Sequence, residues 1–347
     1  MDNLATIWNL SIEKKDRPIV PRERLFASEL GGSMIDRWHK LKGTPYTNPP
    51  NSRSMRKFMA GDIWEWIIKT VLIRAGIPFT TQERVELNYE GLLPISGRLD
   101  FIIGGSIRPE EALKRLEAED IPDFIKNPAK AIIEALTQAY PDGEIPKKVL
   151  EIKSVGSYIF ESLLAQDNPR THHMLQGAIY HLTTKLPTDI VYVCRDDCRL
   201  LQYSIDKIVP DLEKEIKKDL EQITKYHRDD IEPPKEEKIV WEGGKFKTNW
   251  KIQYSPYLTM LYSYNKNGDD KEETFFETPD EYFEIFSPLV GSWNRVVTRI
   301  REGKEMTKSN LEKVQEMGRY GFGTIITNLQ KQYESKQSVD EGGKHTA

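Results

Sequence analysis

Two short runs constrain this chain more than any other feature: Gly97-Arg98-Leu99-Asp100 and Glu151-Ile152-Lys153. Each sets charged side chains inside an apolar, strand-like stretch, residues 95–103 in one case and 149–155 in the other. A charge inside such a stretch is costly unless something compensates it. Two carboxylates and a lysine converging at strand ends point to a divalent cation as that compensation. Side chains alternate along a strand, so Glu151 and Lys153 share one face while Ile152 takes the other. Glu-x-Lys alone also suits an ordinary exposed strand; its pairing with the upstream Gly-Arg-Leu-Asp is what makes it informative.

The 347 residues suffice for one sizeable core with an appendage, or for two domains. With 30% charged and 38% hydrophobic residues, the composition is that of a soluble globular chain with a heavily charged surface. Apolar runs such as 190–194 are too short to cross a bilayer. The amino terminus lacks a basic-then-apolar leader, so no membrane association and a cytosolic home, bacterial or in a phage-infected host, are expected. Cys194 and Cys198 are too few for a disulfide framework or a four-thiolate site. The net charge of −4 gives no global sign of a nucleic-acid binder, although a local basic strip beside an acidic site would not show in that sum.

Periodicity and punctuation predict an α/β core. A polar arm comes first, then a helix from after Ser28 to Gly43 carrying Met34, Ile35, Trp38 and Leu41. A loop over 44–54 leads to a helix over 55–75 ending at Gly76. Strands follow at 79–87 and 95–103, then an inserted helical piece at about 106–146 with starts at Pro109 and Pro128. After the turn Pro141-Asp142-Gly143 come a strand at 149–155, a helix at 171–186 and a strand at 190–194. A charged helix over 210–226 and an exposed Glu-Pro-Pro-Lys connector at 232–235 close this region. Further on, helices are expected at 279–285, 293–302 and 308–332, the last interrupted by its glycines.

Phosphodiester hydrolysis needs a nucleophilic water, charge neutralisation at phosphorus and a stabilised leaving oxygen. Mg²⁺ or Mn²⁺ serves all three, and carboxylates hold such hard cations. Asp100 and Glu151 are the candidate ligands, joined by the Ile152 carbonyl if it lies at the end of its ladder. Lys153 is placed to touch the attacking water or a phosphate oxygen, and nearby cations would favour its neutral, proton-accepting form. On the next helix Gln176 and Tyr180, four residues apart, share a face. They would bond a phosphate, hold the Lys153 strand, or merely decorate an amphipathic helix. Trp38, Trp64 and Trp66 read as helix-packing residues rather than base-stacking platforms. His172 and His173 read as an ordinary helix-start pair, and Arg98 offers a phosphate contact or an ion pair.

Gly61-x-x-x-Glu65, Gly97-Arg98-Leu99-Asp100, Glu151-Ile152-Lys153 and Gln176-x-x-x-Tyr180, in that order, resemble the PD-(D/E)XK nuclease superfamily. The RecB-like branch, with its CRISPR-associated and recombination exonucleases, is the nearest match. The resemblance implies a restriction-endonuclease-like mixed sheet flanked by helices. It also implies a metal site of Glu65, Asp100, Glu151 and Ile152, Lys153 as the catalytic lysine, and Gln176 and Tyr180 as the DNA-proximal or supporting pair. Many relatives carry His where this chain has Glu65, and the insertion between Asp100 and Glu151 is longer than usual, so it is expected to project and guide substrate. Relatives with an iron–sulphur cluster need thiolates where this chain has Ser33, Ile252, Ser255 and Leu261, so no cluster is expected. Packing of the amino-terminal helix by Trp250, Tyr254, Tyr257 and Leu258 is expected in its place.

The implied organisation is an arm at 1–23, a nuclease domain at 24–262, a charged helical extension at 263–334 and a disordered tail at 335–347. The implied activity is Mg²⁺- or Mn²⁺-dependent hydrolysis of DNA, linear or with free ends, by an exonuclease or end-processing enzyme of recombination, repair or phage replication. A partner protein on the extension and self-association both fit this organisation. The competing readings are a structure-specific endonuclease and a non-catalytic scaffold of the same fold.

Overall fold

A computed structural model describes residues 19–265 and 273–331. The expected arm up to residue 18 and the tail from 335 lie outside the described residues. The chain divides into two compact units, one of residues up to 45 with 49–233, the other of 46–48 with 234 onward. The division falls inside the Glu-Pro-Pro-Lys connector, so residues 234–262 belong to the second unit rather than to the first.

The first unit opens with β1 (Leu25–Phe26), α1 (Met34–Lys42) and α2 (Ser52–Ala75). Next come β2 (Phe79–Thr81), β3 (Arg84–Leu87), β4 (Ile95–Arg98) and β5 (Phe101–Ser106), then α3 (Pro109–Ala118) and α4 (Asp123–Ala139). The long β6 (Glu144–Val155) leads to α5 (Ser157–Gln166), α6 (Thr171–Thr184), β7 (Thr188–Cys194), β8 (Leu200–Ser204) and α7 (Val209–Asp229). β2, β5, β6, β7 and β8 form one mixed sheet in that order, with β6 and β7 parallel and the other neighbours antiparallel. Helices cover both faces, so the fold is α/β.

Alternation along β6 sorts its side chains between two cores. Val149 joins Ile190 and Tyr192 against Ile179 of α6 and Ile216 of α7. Leu150 and Ile152 join Val191 and Val193 against Leu72 of α2, Leu116 of α3 and Ile133 of α4. Glu151 and Lys153 therefore point with Val149 toward α6. Arg37 of α1, almost wholly buried, forks onto Asp219 of α7 at 2.5 and 2.7 Å.

Several expectations need correction. The helix expected from Ser28 begins only at Met34, because Gly31 takes a left-handed φ of 74° and Ser33 caps the helix through Asp36 N. The helix expected from residue 55 starts at Ser52, capped by Asn51. The runs 79–87 and 95–103 are not two simple strands. Each breaks, at Gln82 (φ 58°) and at Leu99–Asp100, and its halves enter different sheets. β3 and β4 pair with each other and, with β1, form a separate three-stranded sheet. Bonds from Gln82 N to Leu99 O (2.8 Å) and from Leu99 N to Glu83 O (2.9 Å) carry the ribbon through its bend.

Pro128 lies inside α4 rather than opening it. The insertion does not project: Ala112, Leu116, Ile125, Ala129 and Ile133 are buried in the core beneath α2. α5 and β8 were not anticipated. Ile159, Phe160, Leu163 and Leu164 gave helical spacing that would have revealed α5.

In the second unit, β9 (Ile239–Glu242) and β10 (Lys245–Thr248) form a hairpin about Gly243-Gly244. The short helices α8 (Trp250–Gln253) and α9 (Leu258–Leu261) and the pair β11 (Ser263–Asn265) and β12 (Glu273–Phe275) follow. The two helices expected at 279–285 and 293–302 are one, α10 (Pro279–Arg301), with Pro288 in its interior. α11 (Lys308–Arg319) ends before Gly321 (φ 85°), and residues 323–331 resume as a helix. Phe246, Trp293 and Phe322 form an aromatic core here, with centroids 5.0–5.9 Å apart. Tyr257 and Leu258 are buried and Trp250 is a little over half covered, whereas Tyr254 is largely exposed and does not serve as a packing residue. Among the described residues no helix is long and apolar enough to cross a membrane.

Candidate active site

The bend in the β3–β4 ribbon puts Asp100 just before β5, beside the middle of β6. Its Oδ2 accepts a hydrogen bond from Ile152 N at 2.8 Å. The carboxylate thus takes over an amide at the point where the β5–β6 ladder has run out beyond the Phe101–Leu150 pair. One residue earlier on β6, Glu151 is 2% exposed. Its Oε1 accepts from Lys153 Nζ at 2.5 Å and from Gln176 Nε2 at 2.7 Å. Its Oε2 is buried with no N–H donor, and the Glu151 carboxyl lies within hydrogen-bond reach of the Asp100 carboxyl.

Gln176 is the hub of the α6 side. Its Oε1 accepts from Lys153 Nζ at 2.9 Å, and its Nε2 also donates to Tyr180 Oη at 2.8 Å. Tyr180 in turn donates to the Arg98 carbonyl at 3.1 Å. Of the openings left by their spacing, this pair therefore takes the one that holds the Lys153 strand. The chain of bonds ties β6, through α6, to the end of β4.

Gly97 explains itself in the same contact. A Cβ there would lie 2.6 Å from Tyr180 Cε1 and 3.2 Å from Ala27 Cβ, inside van der Waals limits. Gly97→Ala is expected to push the Tyr180 ring away, break its bond to Arg98 and cost about 1–3 kcal/mol of stability. A thermal melt and the accessibility of the Tyr180 hydroxyl check this; an unchanged melt would refute it. Gly61, by contrast, faces open space, so nothing in packing requires it.

Glu65 extends from α2 into the same cleft, about 1030 Å³, which Asp100, Glu151, Ile152, Lys153, Gln176 and Tyr180 also line. Gln82 Nε2 donates to Glu65 Oε2 at 3.2 Å. Sequence reasoning passed over Gln82, Asp62 and Arg84, which line the cleft as well. Asp62 sits three residues before Glu65, one turn away on the same helix face, and that spacing was a readable signal. Gln82 is one of few non-glycine residues with a left-handed φ, a strained backbone that only coordinates reveal.

Burial lifts the Glu151 carboxyl to about 8 against the pull of the Lys153 ammonium, and Asp100 adds to the rise. Burial and the nearby charges of Asp100 and Asp62 lift Glu65 to about 7. Asp100 is also raised, by burial, despite its bond from Ile152 N. Burial pulls the Lys153 ammonium down, but Glu151, Asp100 and Glu65 outweigh it and hold the lysine charged. Held by these three acids, Lys153 is an ammonium rather than a proton acceptor.

The donor set is of the kind a hard divalent cation takes. It consists of carboxylates, two of which, Asp100 and Glu151, lie within hydrogen-bond reach of each other. Among the described residues no group of three or more His, Cys, Asp or Glu side chains is gathered closely enough to hold an ion. Asp100 and Glu151 adjoin, and Glu65 shares their cleft without closing on them.

The other candidates sort simply. Burial lowers the pKa of His172, to about 4, and that of His173, so both rings are neutral. His173 Nδ1 lies 2.7 Å from Tyr192 Oη, a structural contact. Arg98 makes no close salt bridge among the described residues, and its charge works against the rise of Glu65 and Asp100 from a distance. Trp38 and Trp64 are half-buried, but Trp66 is 63% exposed and lines the cleft, contrary to a packing role. Cys194 is buried and Cys198 exposed, both as free thiols. Ser33 caps α1, Ser255 Oγ accepts from Tyr257 N at 3.1 Å, and Ile252 and Leu261 are core residues.

No family model matches the chain. No curated protein matches it either. Among solved structures it is similar to SSO0001, with 15% identity over 74% of this chain and 95% of that one, at a TM-score of 0.38. It is similar as well to an alkaline exonuclease (LHK-Exo) from Laribacter hongkongensis, with 11% identity over 60% of this chain and 93% of that one, at a TM-score of 0.31. The structure of LHK-Exo in complex with dAMP gives 12% identity over the same shares and a TM-score of 0.36.

Proposed function

We propose that this chain is a divalent-metal-dependent nuclease with a PD-(D/E)XK-type site, acting on DNA at or near free ends. The observation that carries the proposal is Glu151. A carboxyl 2% exposed, bonded by a lysine, lies against a second buried carboxyl with no N–H donor on its other oxygen. Two buried acids side by side need either a shared proton or a cation between them, and a hard divalent cation is the ligand such oxygens take. In this reading Asp100 and Glu151 hold the cation, with the Ile152 carbonyl and Glu65 completing its surroundings. When bound, Mg²⁺ or Mn²⁺ supplies charge neutralisation at the phosphate and a more acidic attacking water.

The chain's own groups do the rest. Lys153 Nζ uses two of its three protons on Glu151 and Gln176, leaving one N–H for a phosphate oxygen or the attacking water. Gln176 fixes both the ammonium and the carboxylate, so neither has to reorganise when substrate arrives. Tyr180 locks the orientation of Gln176. A role in recombination, repair or phage replication is consistent with a site that hydrolyses DNA ends.

The direct test is purified protein with labelled linear and closed circular DNA, in Mn²⁺ or in EDTA. Loss of the linear form only with metal is the expected result. Nicking of the closed circle would make the enzyme an endonuclease. No metal-dependent loss of either would reject the reading in favour of a non-catalytic scaffold.

A further inference from the structure

We infer that the cleft receives an unpaired nucleic-acid strand, its phosphates held by Arg84 and Arg98 and one base stacked on Trp66. The inference rests on the nuclease reading for what lies beside the strand and adds which form of the polymer fits. Arg84 and Arg98 stand directly opposite each other on β3 and β4. Like charges in that position repel. Both are exposed, and Arg98 feels the acids of the cleft, Glu65 and Asp100, only across space, without a hydrogen bond to either. Acids are not scarce, with 54 Asp and Glu against 50 Lys and Arg, and nearby Arg24 is paired with Glu86 at 3.2 Å.

Strand alternation sets where the two guanidiniums go. Gly97 lies against the Tyr180 ring, so its neighbours Ser96 and Arg98 turn the other way, into the cleft. Arg84, opposite Arg98, lines the cleft with it. The pair thus faces the space beside Asp100 and Glu151; Asp100 and Glu65 offset part of the Arg98 charge, and a phosphate between the two guanidiniums would relieve the rest of their repulsion.

Trp66, next to Glu65 on α2, also lines the cleft at 63% exposure. Phe26, the other exposed ring there, is already covered by the Arg22 guanidinium at 4.5 Å. Trp66 makes no such ring or cation contact among the described residues. An open indole beside a cationic strip is a platform on which any base can stack. Bases inside a duplex hide their faces in the stack and only the terminal pair shows one, so it is along an unpaired strand that Trp66 finds partners at every base.

The test is fluorescence anisotropy of a labelled oligothymidylate and of a blunt hairpin duplex, both in EDTA, where neither metal nor hydrolysis is required. The single strand is expected to bind more tightly. Trp66→Ala should weaken it by about tenfold and leave the duplex unchanged, with Trp66→Phe recovering most of the loss. Replacing Arg84 and Arg98 together with Ala should flatten the salt dependence by about 1.4 in log–log slope, ~0.7 per phosphate contact. Tighter binding of the duplex, or a Trp66→Ala protein that binds oligothymidylate as wild type, would overturn the inference. Metal-dependent cleavage unaffected by Trp66→Ala sinks this inference alone. Strand binding without cleavage in any metal sinks the enzyme reading and leaves the strand site standing.

Discussion

Lys153→Ala is expected to slow Mn²⁺-dependent cleavage of linear DNA by about 10²–10³-fold, the range for loss of one preorganised donor to developing charge. Glu151→Gln is expected to reduce it at least as far. The lysine variant removes the cation that Glu151 Oε1 and Gln176 Oε1 both contact. It need not unfold the protein, because Glu151, already raised to about 8, can stay protonated and neutral at pH 7. The glutamine variant keeps the volume and the acceptor of Glu151 but loses the charge that would hold a cation. Circular dichroism and melting curves separate folding from chemistry. Wild-type rates in both variants would overturn the assignment of these two residues.

The second large effect is on pH. Glu151 and Glu65 have pKa values raised from 4.5 to about 8 and about 7. The folded protein therefore binds these protons more tightly than the unfolded chain does. By linkage, that contribution to stability is fully present below about pH 4.5 and is lost as pH rises through the folded pKa values. Without divalent metal, the melting temperature should fall between about pH 5 and about pH 8 as these sites are forced to ionise. A cation binds the ionised carboxylates, so its affinity should rise by up to about tenfold per pH unit for each proton displaced, levelling off above about pH 8. Calorimetric titration of Mn²⁺ in buffers of different ionisation enthalpy measures the protons released. A metal affinity that is flat across this range, or the absence of Mn²⁺ binding at millimolar concentration, would contradict it.

The residues of the site were largely legible, because their chemistry is local. Glu151 and Lys153 had to share a face by strand parity, and they do, both bonding to Gln176. Gln176 and Tyr180 had to share a helix face, and their direct hydrogen bond follows. What remained illegible depends on partners remote in sequence. Nothing in residues 79–103 announced that two apparent strands would bend and divide between two sheets, because the bend sits on Gln82, whose left-handed φ is set by its surroundings. Helix periodicity alone could not tell that Trp66 would be left uncovered. Pro128 and Pro288 misled for a related reason: tertiary packing tolerated each inside a helix that local rules would have ended.

The insertion between Asp100 and Glu151 has one more consequence. It leaves β5 at Ser106 and re-enters β6 at Glu144, the ends of those strands farther from the carboxylates. Its turn at Pro141-Asp142-Gly143 is solvent-facing, while its helices brace α2 from below. It is a foundation and not a gate. A reporter peptide grafted at that turn should leave catalysis intact, whereas trimming the helices themselves would loosen the footing on which Glu65 stands.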